Sequence, residues 1–447
     1  LVHLTMGNVV LAEKTYRRVA KTTEATLGAD SLVLATVRNN LAEALVEQGR
    51  NEEAEVFQRL VLATRREALG ERHPDYAQAL SKLAQTRFWQ GDAVEAEELI
   101  QQAYEVLSEA YGAEHPEVAR VESDLGAIAF QRGDVGRGEQ RLRAASTSFL
   151  RTMQDTFSVQ SERQKLVMLQ RSRFNLDAWL SAALFTDVDA ANVYDQVLRW
   201  KGVVFADQLW QRALLTEVDL EDEFEELAAV TRRLAAASLM TPGSAEQKTQ
   251  RLTDIADLTE QKESLERKLA SRSVRFRAQR EASQVASSTL TTTLPQDAVL
   301  IDFLAFSRFD YGDLSPIGDG APRHLMAFVA RPGVEVAAVD LGPSEPIAEL
   351  VEDWRRKRRY PIGLLGESHP GFELKRRLWE PLEPHLADAK VALISPDGPI
   401  CRLPLAALPG SREGTFLIEE MAVAVAPAPQ QIPKLLADDH RDNAAAT

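Results

Sequence analysis

A strict 42-residue interval runs through the first third of the chain. Gly28, Gly70 and Gly112 keep it, and so do Gly7, Gly49, Gly91 and Gly133. Leu41, Leu83 and Leu125 follow the same spacing, as do Ala12, Ala54 and Ala96. A fixed period of this kind means a stack of equal units, each burying its apolar face only against its neighbours. The stretch "HPDYAQAL" (73–80) returns as "HPEVARVE" (115–122). Each unit reads as two amphipathic helices. The first opens after His-Pro, because proline suits the first helical turn, and ends near Gln48-Gly49 or Gln90-Gly91. The second carries "EEAE" or "VEAEEL" and stops at "ALG" or "AYG", where glycine can adopt the left-handed capping conformation. Small Ala54 and Ala96 let the paired helices approach closely. An all-α solenoid with a concave face is therefore expected over residues 1–145.

This pattern resembles the tetratricopeptide family, in the 42-residue form of kinesin light chains. The resemblance implies that the concave face binds a protein or peptide partner. The alternative is an array that only supports its neighbour or mediates self-association. Gly7 and Ala12 fall on the second helix of a unit whose first helix is not in the sequence, so the chain is expected to begin inside a larger protein.

From 146 to 286 the interval fades but the helical pattern continues, which predicts a helical connector. Trp179, Trp200 and Trp210 are read as core anchors, since aromatics at helical spacing usually pack. Lys201 lies between apolar stretches and is read as solvent-facing, with a buried acid partner as the alternative. Thr241-Pro242-Gly243 is a break. After it, Leu252, Ile255, Leu258, Leu265 and Leu269 share one face, as in a two-helix hairpin or short coiled coil.

The period then changes. "SSTLTTTL" (287–294) reads as a polar linker. "AVLIDFLAF" (298–306) is a near-continuous apolar strand, and "HLMAFVARPGVEVAAVDLG" (324–342) is two strands around Arg331-Pro332-Gly333. "EPIAELVEDWRRKRR" and "FELKRRLWEPLEPHL" read as helices, with "KVALI" and "FLIEEMAVAVAP" (416–427) as further strands. Strands alternating with helices predict a sheet covered by helices on both faces.

The segments "LPQDAVLIDFLAF", "HLMAFV", "LWEPLEPHLADAKVALISPDGPICRLPLAALPG" and "FLIEEMAVAVAPAPQQI" together resemble the CHAT domain, a caspase-like fold that typically follows tetratricopeptide repeats. The fold class is thus multidomain: an all-α repeat solenoid and helical connector, then a partial α/β caspase-like domain over 287–447. The resemblance implies a cytosolic cysteine endopeptidase, bacterial in style, with a His–Cys dyad. Its histidine is followed by glycine, and its cysteine sits in a context like Ser-Ala-Cys-x-Thr-Gly. Neither motif occurs in the sequence, so both residues are expected beyond Thr447 and the chain by itself is expected to be silent. The rival class is a scaffold that kept the fold and lost the chemistry.

The single cysteine, Cys401, lies in the Pro-Asp-Gly-Pro run rather than in a cysteine motif, and it reads as a small hydrophobe in a core. None of the seven histidines (His3, His73, His115, His324, His369, His385, His440) precedes glycine. Arg308 and Asp397 follow strand ends, where α/β sites form. They are the candidate substrate-binding residues, lining a pocket that selects a substrate residue. "FDYGDLSPIGDG" does not match the spacing of a calcium loop and reads as a solvated hairpin loop. No metal site and no cofactor are expected. "RRKRR" (355–359) reads as an exposed helix face. The net charge is −15 and no region is basic overall, which argues against nucleic acid and anionic membrane as partners. One cysteine excludes an internal disulfide and fits a reducing, cytoplasmic setting. No apolar run is long enough to span a bilayer.

Overall fold

The computed structural model describes residues 9–157, 160–186, 188–201, 203, 220–240, 242, 245–273, 276, 285–309, 322–357 and 369–437. Within these, one compact unit comprises 9–155 with 232–259, and a second comprises 156–231, 260–309 and 322–437. The connector read from the sequence is thus shared between the two units.

The first unit is the repeat array: α1 (Val9–Leu27), α2 (Leu32–Val46), α3 (Asn51–Leu69), α4 (Pro74–Trp89), α5 (Ala93–Tyr111), α6 (Pro116–Gln131) and α7 (Val135–Thr156). The predicted small contacts are buried: Ala12, Ala54 and Ala96 sit where helices cross, and Leu41, Leu83 and Leu125 fill the core. Gly70 and Gly112 close α3 and α5 at φ of 85° and 84°, a conformation that a side chain strains. Ser31, His73 and His115 occupy one register position and cap α2, α4 and α6. Each side chain accepts the N–H of the residue two further on. A ring Nδ1 can accept that bond only from the neutral imidazole, with the proton on Nε2.

The units are also clasped to one another by polar side chains in register. Glu13 accepts from the Gln48 side chain at 2.9 Å and Glu55 from Gln90 at 3.0 Å, while Arg132 donates to Glu97. Each contact joins the second helix of one unit to the end of the first helix of the next. Hydrogen bonds from Arg17 and Gln48 hold the Glu13 carboxyl down at about 2.

Two further helices, α10 (Glu221–Leu239) and α11 (Ala245–Arg272), run antiparallel as the predicted hairpin. Leu258, Leu265 and Leu269 are buried as expected, whereas Leu252 is 40% exposed. Within the first unit, Arg251 is buried and donates to the carbonyls of Ala237 at 2.8 Å and Ser238 at 2.9 Å, and to that of Tyr111. These carbonyls end α10 and α5, where helix oxygens lack intrahelical donors and the dipole is negative. The helix ends thus serve a buried guanidinium as its counter-charge.

The second unit holds a five-stranded sheet: β1 (Ala298–Ser307), β2 (Arg323–Ala330), β3 (Ala337–Pro343), β4 (Val391–Ser395) and β5 (Ala422–Val425), in the order β3-β2-β1-β4-β5. β1 pairs antiparallel with β2 and parallel with β4, which is parallel to β5. Alternate residues of β1 face opposite layers. Val299, Ile301, Phe303 and Ala305 pack with Ile347, Val351 and Trp354 of α13 (Ser344–Lys357) and with Leu374, Leu378 and Trp379. On the other face lie α8 (Glu162–Phe185), α9 (Ala190–Trp200) and α12 (Ser287–Thr293), with Tyr194 stacked on Phe328 at 4.7 Å.

Three local expectations change. The 287–294 linker is the helix α12: Leu290 and Leu294 are buried one turn apart, and Thr291, Thr292 and Thr293 return their hydroxyls to carbonyls of the preceding turn. The helix at 372–386 is interrupted by a π turn at Lys375–Trp379. Of the strand predicted at 416–427, only Ala422–Val425 pairs, because Leu417–Glu419 turns in a 3-10 helix with Glu419 bonded to the Phe416 N–H. Trp179 and Trp200 are core anchors as expected, whereas Trp210 and the loop 310–320 lie outside the described residues.

His115 supplies a test in pH. Its ring is buried, its Nε2 has no partner among the described residues, and burial together with the Arg251 charge lowers its pKa to about 4. A histidine depressed on folding contributes fully above the unfolded value of roughly 6.5, and its contribution is lost as pH falls toward 4. The melting temperature is expected to drop across that window. His115→Asn keeps a capping acceptor and should flatten this part of the profile; an unchanged profile would refute the assignment.

Candidate functional site

Asp302 lies in the middle of β1, 0% exposed, an expensive place for a carboxylate. Three groups answer it. Lys201, the C-cap of α9, forms an ion pair with one oxygen, and the Tyr194 hydroxyl donates to the other at 2.9 Å. Lys201 Nζ also donates to the Phe303 carbonyl at 2.7 Å and lies 3.4 Å from that of Ser395, at the end of β4. Burial and the neighbouring Asp302 push the Tyr194 phenol well above its usual pKa. The solvent-facing reading of Lys201 therefore fails. The alternative, a buried acid partner, holds because the end of α9 brings Lys201 to Asp302 and Phe303 of β1 and to Ser395, the last residue of β4.

β4 leaves the ladder at Ser395, opposite Asp302, while β1 continues to Ser307. The orphaned β1 edge is completed by side chains. Ala305 N–H donates to Asp397 at 3.0 Å and the Ala305 carbonyl accepts from Arg173 at 3.0 Å. Ser307 N–H donates to Asp177 at 2.9 Å, and Phe309 N–H to the Ser181 hydroxyl at 3.0 Å. Arg173, Asp177 and Ser181 are one turn apart on α8. Four helical residues rise about 6 Å, close to the roughly 6.6 Å of two strand residues. A polar stripe on a helix can therefore follow alternate peptide groups of a strand. Burial raises the pKa of Asp177, opposed by the adjacent Arg173 at 3.0 Å. The sequence signal was the spacing Arg-x-x-x-Asp-x-x-x-Ser, which puts the three polar residues on one face of the helix.

The two predicted binding residues both lie at this end of the sheet. Asp397 caps the turn after β4, accepting from Gly398 N–H at 2.8 Å as well as from Ala305. Arg308 is exposed just past β1 and pairs with Asp340 of β3 at 2.9 Å. A cavity of about 650 Å³ opens beside them, lined among others by Pro322, Arg323, Ser344, Glu352, Gly398 and Arg402. Arg308 donates its backbone N–H to Pro322 at 3.0 Å, and Asp397 precedes Gly398. Each predicted residue is thus one step removed from the wall.

Cys401 is exposed on the 3-10 turn after β4 rather than buried in a core, because that turn points Ile400 inward instead. Partial desolvation and the Asp397 carboxylate raise its thiol pKa. Among the described residues no imidazole bonds to it. His369 is occupied elsewhere, capping the helix at 370–374 by accepting Gly371 N–H at 3.0 Å, as His73 and His115 cap theirs. The shared His-Pro dipeptide was the available signal.

Removing the ammonium from Asp302 should be costly. Lys201→Met leaves a buried unpaired carboxylate and is expected to lose about 3–5 kcal/mol in urea denaturation. Lys201→Met/Asp302→Asn should recover most of that, since no charge is then stranded. If the single and double variants are equally destabilised, the pair is not the cause.

Residues 34–75 and 75–147 match the tetratricopeptide repeat family, and residues 369–446 match the CHAT domain. No curated protein matches the chain. Among solved structures, a kinesin-light-chain-like protein of nearly identical TPR-like repeats from Podosopora anserina is 18% identical with a TM-score of 0.36. It covers 46% of this chain and 91% of its own. BtubC (BKLC) from P. vanneervenii is 22% identical with a TM-score of 0.35, covering 46% of this chain and 77% of its own. Among the described residues no helix is long and apolar enough to cross a membrane.

Proposed function

Since the chain carries tetratricopeptide repeats and a CHAT domain, we propose that it supplies the partner-binding array and the leading strands of a caspase-like cysteine endopeptidase. The observation that carries this reading is the parallel trio β1, β4 and β5, with the turn that follows β4 lining the cavity through Gly398 and Arg402. In open α/β sheets this is where ligands are handled.

The proposed reaction is peptide hydrolysis by nucleophilic catalysis. A thiolate attacks the scissile carbonyl, an imidazole moves the proton to the leaving amine, and backbone N–H groups hold the oxyanion. Cys401 is unsuited to this role, with its thiol pKa raised and no imidazole bonded to it among the described residues. The dyad is proposed to follow Thr447. Arg308 and Asp397 are proposed to bear on substrate choice: Arg308 by exchanging its exposed Asp340 partner for a substrate group, and Asp397 by fixing the turn beside the cavity. The array is proposed to hold a protein or peptide segment on its concave face, in the cytoplasm. Neither nucleic acid nor membrane is a proposed partner. Of the basic run 355–359, Arg355 and Arg356 are described as exposed, and Arg355 is paired with Glu352 at 3.0 Å.

A second reading, a scaffold without chemistry, draws on the lack of any Cys–His contact among the described residues. The two part at the codons after Thr447. A His-Gly and a later Ala-Cys-x-Thr-Gly at strand ends are expected. Peptide cleavage by that longer protein should then vanish on replacing that cysteine and change its residue preference in Arg308→Gln. Strands without the dyad would make the protein a binding scaffold, and an unchanged preference would remove Arg308 from the site.

A further inference from the structure

The cavity beside α13 has features that substrate selection by Arg308 and Asp397 does not use. Ser344 opens that helix, is 6% exposed and lines the cavity, yet its hydroxyl makes no hydrogen bond among the described residues. The hydroxyl is therefore free to donate to, or accept from, a group that enters the cavity. The helix has 14 residues, and its first turn also lines the cavity through Glu345. First-turn N–H groups have no intrahelical acceptor, and the dipole is positive there. Both favour an anion.

Two arginines of the wall can supply donors. Arg323, at the start of β2, makes no ion pair among the described residues. Arg402 shares Glu352, at 3.1 Å, with Arg355 at 3.0 Å, so two guanidiniums divide one carboxylate. Glu345 and Glu352 oppose Arg323 and Arg402 in the wall, and Asp177 lies within electrostatic reach of Arg323, which sets a limit: the site suits one oxyanion group rather than a polyanion. The geometry points to a binding site for a small molecule bearing a carboxylate or phosphate, held by Arg323, the Ser344 hydroxyl and the N-terminal turn of α13. Arg402 lies at its edge. The site is a property of this chain and does not depend on the proteolytic reading, because its test measures binding without any substrate.

The full chain would be titrated calorimetrically with inorganic phosphate and, separately, with glutarate, at ionic strength held constant by chloride. Saturable binding of at least one probe is expected. Arg323→Gln should weaken it roughly tenfold or more, as loss of a charge-assisted hydrogen bond implies. Ser344→Asp, which puts a carboxylate where the anion would sit, should abolish it. Arg356→Gln, an exposed change outside the cavity wall, should leave it intact. Phosphate binding without glutarate binding assigns a phosphate ligand, and the reverse assigns a carboxylate. No heat beyond dilution with either probe overturns the site. So does binding that survives both Arg323→Gln and Ser344→Asp. Arg323 is exposed, so its replacement should fold; melting each variant checks this, and the Ser344 variant gives a separate reading.

Discussion

A carboxylate in the centre of a sheet is a liability unless something brings it a cation. Asp302 sits there, and Lys201, about a hundred residues earlier, reaches it from the end of α9. Much of the second unit follows from this pairing. The ammonium also holds carbonyls of Phe303 and Ser395, so the same contact sets where α9 ends and where β1 and β4 part. Tyr194 then closes the remaining carboxylate oxygen while its ring covers Phe328. Such a pair adds little net stability over an apolar substitute. What it specifies is position: a connector that slipped by one turn would strand both charges.

The repeat array achieves its register differently. Its apolar contacts are small and nearly identical from unit to unit, so they alone would tolerate a shifted partner. The glutamates at 13, 55 and 97 help fix the neighbour, because each accepts from a donor at the end of the next unit's first helix. At the hairpin, Arg251 does a comparable job with carbonyls alone. Both devices use polar groups for alignment and leave cohesion to alanine and leucine.

Much of this was legible in the sequence, and for identifiable reasons. The 42-residue interval carries helix ends, caps and crossing points together, so it reveals the array. The apolar strands and the Pro-Asp-Gly-Pro turn reveal the sheet. What was missed depends on contacts between distant residues. Lys201 looks like any surface lysine until Asp302 is placed opposite it. The Thr-rich run at 287–294 looks like a linker because its two leucines find their core only in the folded unit. Cys401 lies among apolar neighbours in sequence, but the 3-10 turn sends Ile400 inward and the thiol out. Arg308 and Asp397 were placed correctly at strand ends. Their present partners, Asp340 and the N–H groups of Ala305 and Gly398, come from other strands and from the turn itself.

The stripe Arg173, Asp177, Ser181 has a consequence for how this end of the sheet can change. An ordinary ladder is made of backbone, which every residue carries, so mutation alters it only by bending the chain. Past Ser395 the partner of β1 is spelled out in side chains. Each hydrogen bond there belongs to one codon and can be lengthened, swapped or deleted while the strand stays put. The fork between β1 and β4 can therefore be widened or narrowed from the helix, leaving the rest of the sheet in register.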